Sequence, residues 1–257
     1  MKKWIFILSG LLAVQFILTA AVTLTGEDYE AFQAEEKVLS FDEKEVDSLR
    51  IEDGTDSVLL KKQEGKWLLP ESGNFPANQS SVEQLLGNLA IMKKGWPVAK
   101  TRSALRRFQV DEEQFERKLV LLSGDEAQAT LYVGTSPGFR KVHIRPANGD
   151  EVYAVMFNTW DAAAKADEWI DKDVLTLEES DLDRVEIPGV VLHWKDGKPQ
   201  VADLGEKEQT NEKESRSLLG KLTKLRIQSV LGTEIKPEYR QDEPALEVKI
   251  TRKGGEV

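Results

Sequence analysis

The distribution of apolar and polar positions divides the chain into segments of different kinds. From Trp4 to Leu24 there is no charged residue and one amide, Gln15, with Lys2 and Lys3 before the run and Glu27, Asp28 and Glu30 after it. A helix needs roughly 20 apolar residues to cross a bilayer. The positive leading flank predicts a cytoplasmic N-terminus and places everything after Leu24 on the far side. A cleaved signal peptide has an apolar core of about 7–15 residues and a small-residue cleavage site. This core is longer, and Thr19-Ala20-Ala21 matches such a site only in part, so residues 1–24 read as a cytoplasmic tip and retained anchor. Residues 25–45 are charged and rich in helix formers, with Phe32, Val38 and Leu39 on a narrow face, and predict a helical spacer.

From Val46 the period changes. VDSLRIE alternates, and SVLLKKQEGKWLLP reads as two strands around a Glu-Gly turn, ending at Pro70. Ala77 to Ser81 supplies capping residues for a helix carrying Val82, Leu85, Leu86, Leu89 and Met92 at spacings of three and four, one stripe on one face. A short helical stretch follows around Ser103–Arg107. Then KLVLLSG, ATLYVG, KVHIR and EVYAVMF predict four strands of an antiparallel meander. Asn158 to Trp169 reads as a helix with Ala162, Ala163 and Ala164 inside it.

The second half repeats this order. LDRVEI (182–187) aligns with VDSLRI (46–51), and VLHWKDGKPQV (191–201) with LLKKQEGKWLL (59–69), Gly197 standing where Gly65 stands. SRSLLGKLTKL (215–225) aligns with VEQLLGNLAIM (82–92), and ALEVKITRKGGE (245–256) with RKLVLLSGDE (117–126). The expectation is an α+β fold of two tandem related modules behind one transmembrane helix. Each is a β-hairpin, an amphipathic helix and antiparallel meander strands, over residues 46–178 and 179–257. The second reads as incomplete, because it carries no counterpart of the last three meander strands.

Charge and composition narrow the function. The 257 residues carry 35 basic and 45 acidic side chains, a net charge of -10, and the part beyond the anchor is more acidic still. Such a surface is unsuited to nucleic acid or anionic lipid. With no cysteine, disulfides, zinc-thiolate sites and cysteine nucleophiles are excluded. Gly134-Thr135-Ser136-Pro137-Gly138 spells G-x-S-x-G, but a hydrolase elbow takes a backbone N–H from the residue after its serine, and Pro137 has none. FRKVHIR then alternates as a strand, so the pentapeptide reads as a hairpin loop whose glycines supply positive φ. His143 shares a strand face with Lys141 and Arg145, and His193 lies beside Trp194; neither has the spacing of a metal site. Asp167, Glu168, Asp171 and Asp173 fail an EF-hand count, since the sixth and twelfth positions from Asp171 are Thr176 and Leu182. They read as a solvated face. Trp4 suits a membrane interface, and Trp67, Trp96, Trp160, Trp169 and Trp194 read as packing residues. Arg102, Arg106 and Arg107 are expected to pair with Glu112, Glu113 and Glu116. No catalytic residue, cofactor site or metal ligand is assigned.

Several of these segments together resemble the bacterial family called domain of unknown function 4340. They are Trp67-Leu68-Leu69-Pro70, the LLGNL helix, Trp96-Pro97-Val98-Ala99, Arg107-Phe108, the meander GTSPGFRKVHIR with VYAV, and Trp169-Ile170-Asp171-Lys172. The resemblance runs from about Leu39 onward and implies a single-span, envelope-facing protein of Gram-negative bacteria. Such proteins are often encoded near an ABC-type ATPase, its permease and an auxiliary subunit. The family brings no catalytic residues. The expected function is a non-enzymatic inner-membrane protein with a periplasmic domain, an accessory subunit of an ABC-type envelope transport complex whose partner is a permease or auxiliary subunit. The alternative is a periplasmic small-molecule or lipid binder, and a serine hydrolase using Ser136 ranks last.

Overall fold

A computed structural model describes Leu8, residues 10–17, Thr19, residues 36–195 and residues 197–254. The elements follow the order β1 (Ser48–Glu52), β2 (Ser57–Gln63), β3 (Lys66–Leu69), β4 (Phe75–Pro76), α1 (Gln79–Ile91), α2 (Arg102–Arg107), β5 (Arg117–Ser123), β6 (Glu126–Val133), β7 (Lys141–Pro146), β8 (Tyr153–Met156), β9 (Leu182–Ile187), β10 (Val190–Lys195), β11 (Lys198–Val201), α3 (Glu212–Leu222) and β12 (Lys249–Arg252). The fold is α+β and its strands pair antiparallel within each unit, β9–β12 forming a four-stranded sheet. The chain divides into two compact units, one of residues 1–56 and 84–162, the other of residues 57–83 and 163–257.

Most of the expected anchor, and residues 25–35 of the expected spacer, lie outside the described residues. The described part of the anchor is helical and leaves Leu11, Leu12, Phe16 and Ile17 exposed. Among the described residues no helix is long and apolar enough to cross a membrane. Residues 36–45 hold no helix. Val38 donates its N–H to the Met92 carbonyl at 2.9 Å, and Val38 and Leu39 are buried, so this stretch packs on the first unit as extended chain.

In the first unit the strand order is β1-β5-β6-β7-β8. Leu49 lies opposite Leu121 and Ile51 opposite Leu119, all four fully buried, which is what the alternation of both strands predicts for one apolar face. The alternation then breaks down. Leu131, Tyr132 and Val133 are buried in succession on β6, as are Val142 to Pro146 on β7. A strand buried at consecutive positions has both faces covered. The second cover is the segment from Ala99 to Phe115, whose Leu105, Phe108, Val110 and Phe115 pack with Tyr132 and Val152. All four meander strands and the short helix α2 lie where the pattern puts them.

In the second unit β2 and β3 form a hairpin whose turn residues Glu64 and Gly65 both have positive φ, 51° and 83°. Two such residues define the tight turn that matches strand twist, and glycine adopts it without a Cβ penalty. β4 pairs with β3. The sheet β11-β10-β9-β12 is covered by α3, whose Leu219 is buried with Leu182, Val185 and Leu192. Asn211 Oδ1 caps α3 by accepting the Glu214 N–H at 3.3 Å. Asn78 Oδ1 accepts the Ser81 N–H at 3.0 Å in the first turn of α1.

Two further expectations fail. The segment Asn158–Trp169 is not one helix but two 3-10 turns, Thr159–Ala162 and Ala166–Glu168. Lys165 is extended between them, and the Ala163 carbonyl accepts the Trp169 indole N–H at 2.8 Å instead of closing a helical turn. The tryptophans also diverge: Trp67 and Trp169 are buried and Trp194 half-buried, but Trp96 and Trp160 stand in solvent, 79 % and 84 % exposed.

Gln79 substitutes a side chain for a strand residue. Its Oε1 accepts the Trp67 N–H at 2.7 Å, while its Nε2 donates to the Trp67 carbonyl at 2.9 Å and to the Ala77 carbonyl at 2.7 Å. Gln79→Ala leaves the Trp67 N–H without its acceptor, and the expected cost is about 1–3 kcal/mol. A urea unfolding curve reads this directly, and an unchanged midpoint would show that water replaces the amide at no cost.

Candidate functional site

The polar side chains of β7, His143 and Arg145, are enclosed beneath the Ala99–Phe115 cover. β6 and β7 are joined by the G-x-S-x-G loop, which connects antiparallel strands and leads into no helix. Gly134 donates its N–H to the His143 carbonyl at 2.9 Å, and Thr135 donates its N–H to the Phe108 carbonyl at 2.9 Å. A Cβ on Gly134 would stand 2.0 Å from the Phe108 oxygen and 2.4 Å from the Gln109 oxygen. Glycine is there because two backbones touch. The expectation that the loop glycines supply positive φ is corrected, for neither Gly134 nor Gly138 has it, and the left-handed residue is Arg140 at 53°. The Ser136 hydroxyl faces the Gly138 and Lys141 carbonyls at 2.8 and 2.7 Å, bonds that shape the loop.

His143 does not meet Ser136 in a hydrogen bond. Its Nδ1 shares one of 2.9 Å with Thr135 Oγ1, and the Phe108 ring lies 4.1 Å away, centroid to centroid. Burial pushes the imidazole pKa below its ordinary 6.5; the bond at the Thr135 backbone opposes this, and the nearby Arg107 charge adds to it. His193 is half-buried on β10, opposite Arg184 and Gln200, in the other unit.

Arg145 is the most enclosed charged group described, only 3 % exposed. Its Nε donates to the Val110 carbonyl at 2.8 Å and its Nη1 to the Gly149 carbonyl at 3.1 Å. Its guanidinium carbon lies 4.5 Å from the centroid of the Tyr132 ring, the residue paired with it across β6 and β7. The outer edge of this arginine opens on a cleft of about 660 Å³, lined also by Arg102, Ser103, Arg106, Asp111, Glu112 and Asp150. Of the arginine group, Arg106 pairs with Glu113 at 3.7 Å as expected, Arg107 lies over the Phe108 ring at 4.6 Å, and Arg102 makes no ion pair among the described residues. The acidic group is scattered among separate partners far along the chain: Asp173 pairs with Arg226 at 2.7 Å, and Asp167 accepts the Val230 N–H at 3.4 Å. Among the described residues no three His, Asp or Glu side chains are grouped to hold a metal ion.

A second surface lies at β8, the edge strand. The N–H of Val152 bonds Ala99, and the N–H of Phe157 bonds Arg140 on the opposite side. Alternation then turns the backbone groups of Ala154 and Met156 away from β7. Beside them is a hollow of about 370 Å³ lined by Ile91, Met92, Arg140, Met156, Phe157 and Asp161. Ile91 and Met156 are exposed, as are Phe139 and Trp160, the neighbours of Arg140 and Asp161. Glu151 anchors the start of this strand, accepting the Tyr153 hydroxyl and pairing with Lys100 at 2.5 Å. The Lys100 bond foremost, then that from Tyr153, holds Glu151 below the ordinary carboxylate range. Burial, then Glu151, pushes Tyr153 up to about 12.

These features define an α+β protein of antiparallel sheets, with a polar cleft built round a buried arginine and an open sheet edge. It belongs to the DUF4340 family, whose model is described as a domain of unknown function and matches residues 67–244. The match begins at Trp67, the first residue of the W-L-L-P segment. No match was found among curated proteins, and none among solved structures.

Two outcomes follow from the loop. Gly134→Ala should cost about 3 kcal/mol, at the upper end for overpacking, because the new methyl meets backbone oxygens that cannot turn aside; chemical denaturation measures it. His143, with its folded pKa depressed, contributes stability that is present above pH 6.5 and lost as pH falls through its folded value. Melting temperatures of wild type and His143→Gln should therefore converge on acidification. Parallel curves would contradict the buried neutral imidazole.

Proposed function

We propose that this chain is a membrane-tethered accessory subunit of an ABC-type envelope transport complex, holding a periplasmic domain against a permease or its auxiliary subunit. The observation that carries an interaction role is the unpaired edge at Ala154 and Met156 beside exposed Ile91, Phe139, Met156 and Trp160. An open strand edge next to apolar side chains takes an extended segment of a partner as a further antiparallel strand, with main-chain bonds for affinity and alternate side chains for specificity. The bridge of Ala99 to Val152 already lines the same edge, so an incoming strand would continue a pairing that has begun. The membrane side of the reading rests on the uncharged run Trp4–Leu24 with its lysine flank, and the transport side on the gene neighbourhood that the family resemblance implies.

The tandem organisation is part of the same reading. Hairpin β2–β3 turns at Gly65 and hairpin β10–β11 at Gly197, both with positive φ. The pairing of Leu49 with Leu121 between β1 and β5 has its counterpart in Val185 with Ile250 between β9 and β12. α1 and α3 stand at the same place in the two series. On this reading the second module repeats the first, and the additional strands β6–β8 give the first module its docking edge.

A photo-crosslinking residue at Phe139 or Trp160, in intact cells, should capture an integral membrane component of such a transporter. Met156→Lys, a charge on the open edge, should cut that yield several-fold with an unchanged melting temperature. Crosslinks only to further copies of this chain, or a yield indifferent to the edge charge, would defeat the proposal.

A further inference from the structure

We infer that the Arg145 cleft is a binding site for a small zwitterion, which seats an oxyanion on the Arg145 and Arg102 guanidiniums and a cationic group against Asp150 and Glu112. A buried charge is costly unless its hydrogen bonds and its charge are both met. Arg145 has two of its three nitrogens on carbonyls and its flat face on Tyr132, but no carboxylate lies within ion-pair distance among the described residues. Its Nη2 makes no hydrogen bond there, and no buried side-chain nitrogen or oxygen lacks a partner, so Nη2 is reached from the cleft that Arg145 lines. A guanidinium held rigid on two sides, with its third edge free, is preorganised for a carboxylate or phosphate oxygen.

The other groups of the cleft sort by what they already bind. Arg106 and Glu113 pair with each other, and Asp111 Oδ1 accepts the Glu113 N–H at 3.2 Å. Arg102, Glu112 and Asp150 form no ion pair among the described residues. Two uncommitted cations and two uncommitted carboxylates remain in one cavity, which opposes a purely anionic ligand and suits one carrying both signs. A volume of about 660 Å³ is within the range of small-ligand sites. The same pairing of charges occurs in an amino acid or short peptide and in a phosphoethanolamine head group, and the test separates these sources.

Titration calorimetry on the full-length chain in detergent, with dialanine and glycerophosphoethanolamine as separate probes, should show saturable binding of one of them below a few millimolar, on the order of common weak affinities. Dialanine binding assigns the carboxylate form, and glycerophosphoethanolamine binding the phosphate form. Arg102→Gln and Asp150→Asn change exposed side chains, so each should leave the melting temperature in place and weaken binding about tenfold or more, as loss of a charged partner does. Arg145→Lys keeps the charge and loses the fork, and should abolish binding. Failure of both probes to bind, or binding that none of the three variants alters, overturns the inference. Because the docking edge is untouched by these variants, crosslinking at Phe139 reports separately on the accessory-subunit reading.

Discussion

One missing methyl governs the β6–β7 half of the first unit. At Gly134 the end of β6 approaches the Phe108 and Gln109 carbonyls so closely that no side chain fits between them. That contact lets the Ala99–Phe115 cover lie flat on the second face of β6 and β7. Phe108 then reaches the His143 ring, and the Val110 carbonyl reaches Arg145. The cleft is the gap left where the cover meets the loop around Asp150. Local backbone proximity therefore decides the electrostatics of residues far along the chain.

The cover changes what the polar residues of β7 cost. On an open face His143 and Arg145 would be hydrated and inexpensive. Enclosed, the imidazole is held neutral by desolvation, while the guanidinium cannot shed its charge and must be satisfied by dipoles and an aromatic face. Carbonyls compensate hydrogen-bonding capacity better than they compensate charge. In a protein with a surplus of ten negative charges, this buried cation has no carboxylate within ion-pair distance among the described residues, although carboxylates line the cleft it faces.

Much of the architecture could be read from local periodicity, because its elements satisfy their own patterns. The hairpin at Glu64-Gly65, the Val82–Leu89 stripe and the meander strands β5 and β8 have burial that follows period two or about 3.6. What escaped was set by tertiary contact. The alternation of Lys141, His143 and Arg145 is that of a solvated face, and nothing in KVHIR announces that another segment will cover it. The cover itself has scattered apolar residues, Ala99, Leu105, Phe108, Val110 and Phe115, which carry no period to detect. Gly134 looked like a turn glycine because close approach and positive φ leave the same letter in a sequence. Trp96 and Trp160 were assigned to packing on residue type alone, and type says little about a single exposed ring. The arginine group was read as surface charge, which holds for Arg106 with Glu113, while Arg145 was passed over as a strand residue.

The amide of Gln79 has a bearing on how copies of this sheet can associate. It takes up the main-chain bonds of Trp67 beside a strand of two residues, one of them Pro76, which has no N–H to offer. That rim is spent by the chain itself. Growth of a filament by strand addition needs a donor and an acceptor rim on every subunit. A rim closed in this way offers no template to another chain, so the second unit guards the β3–β4 side of its hairpin against strand addition with its own residues.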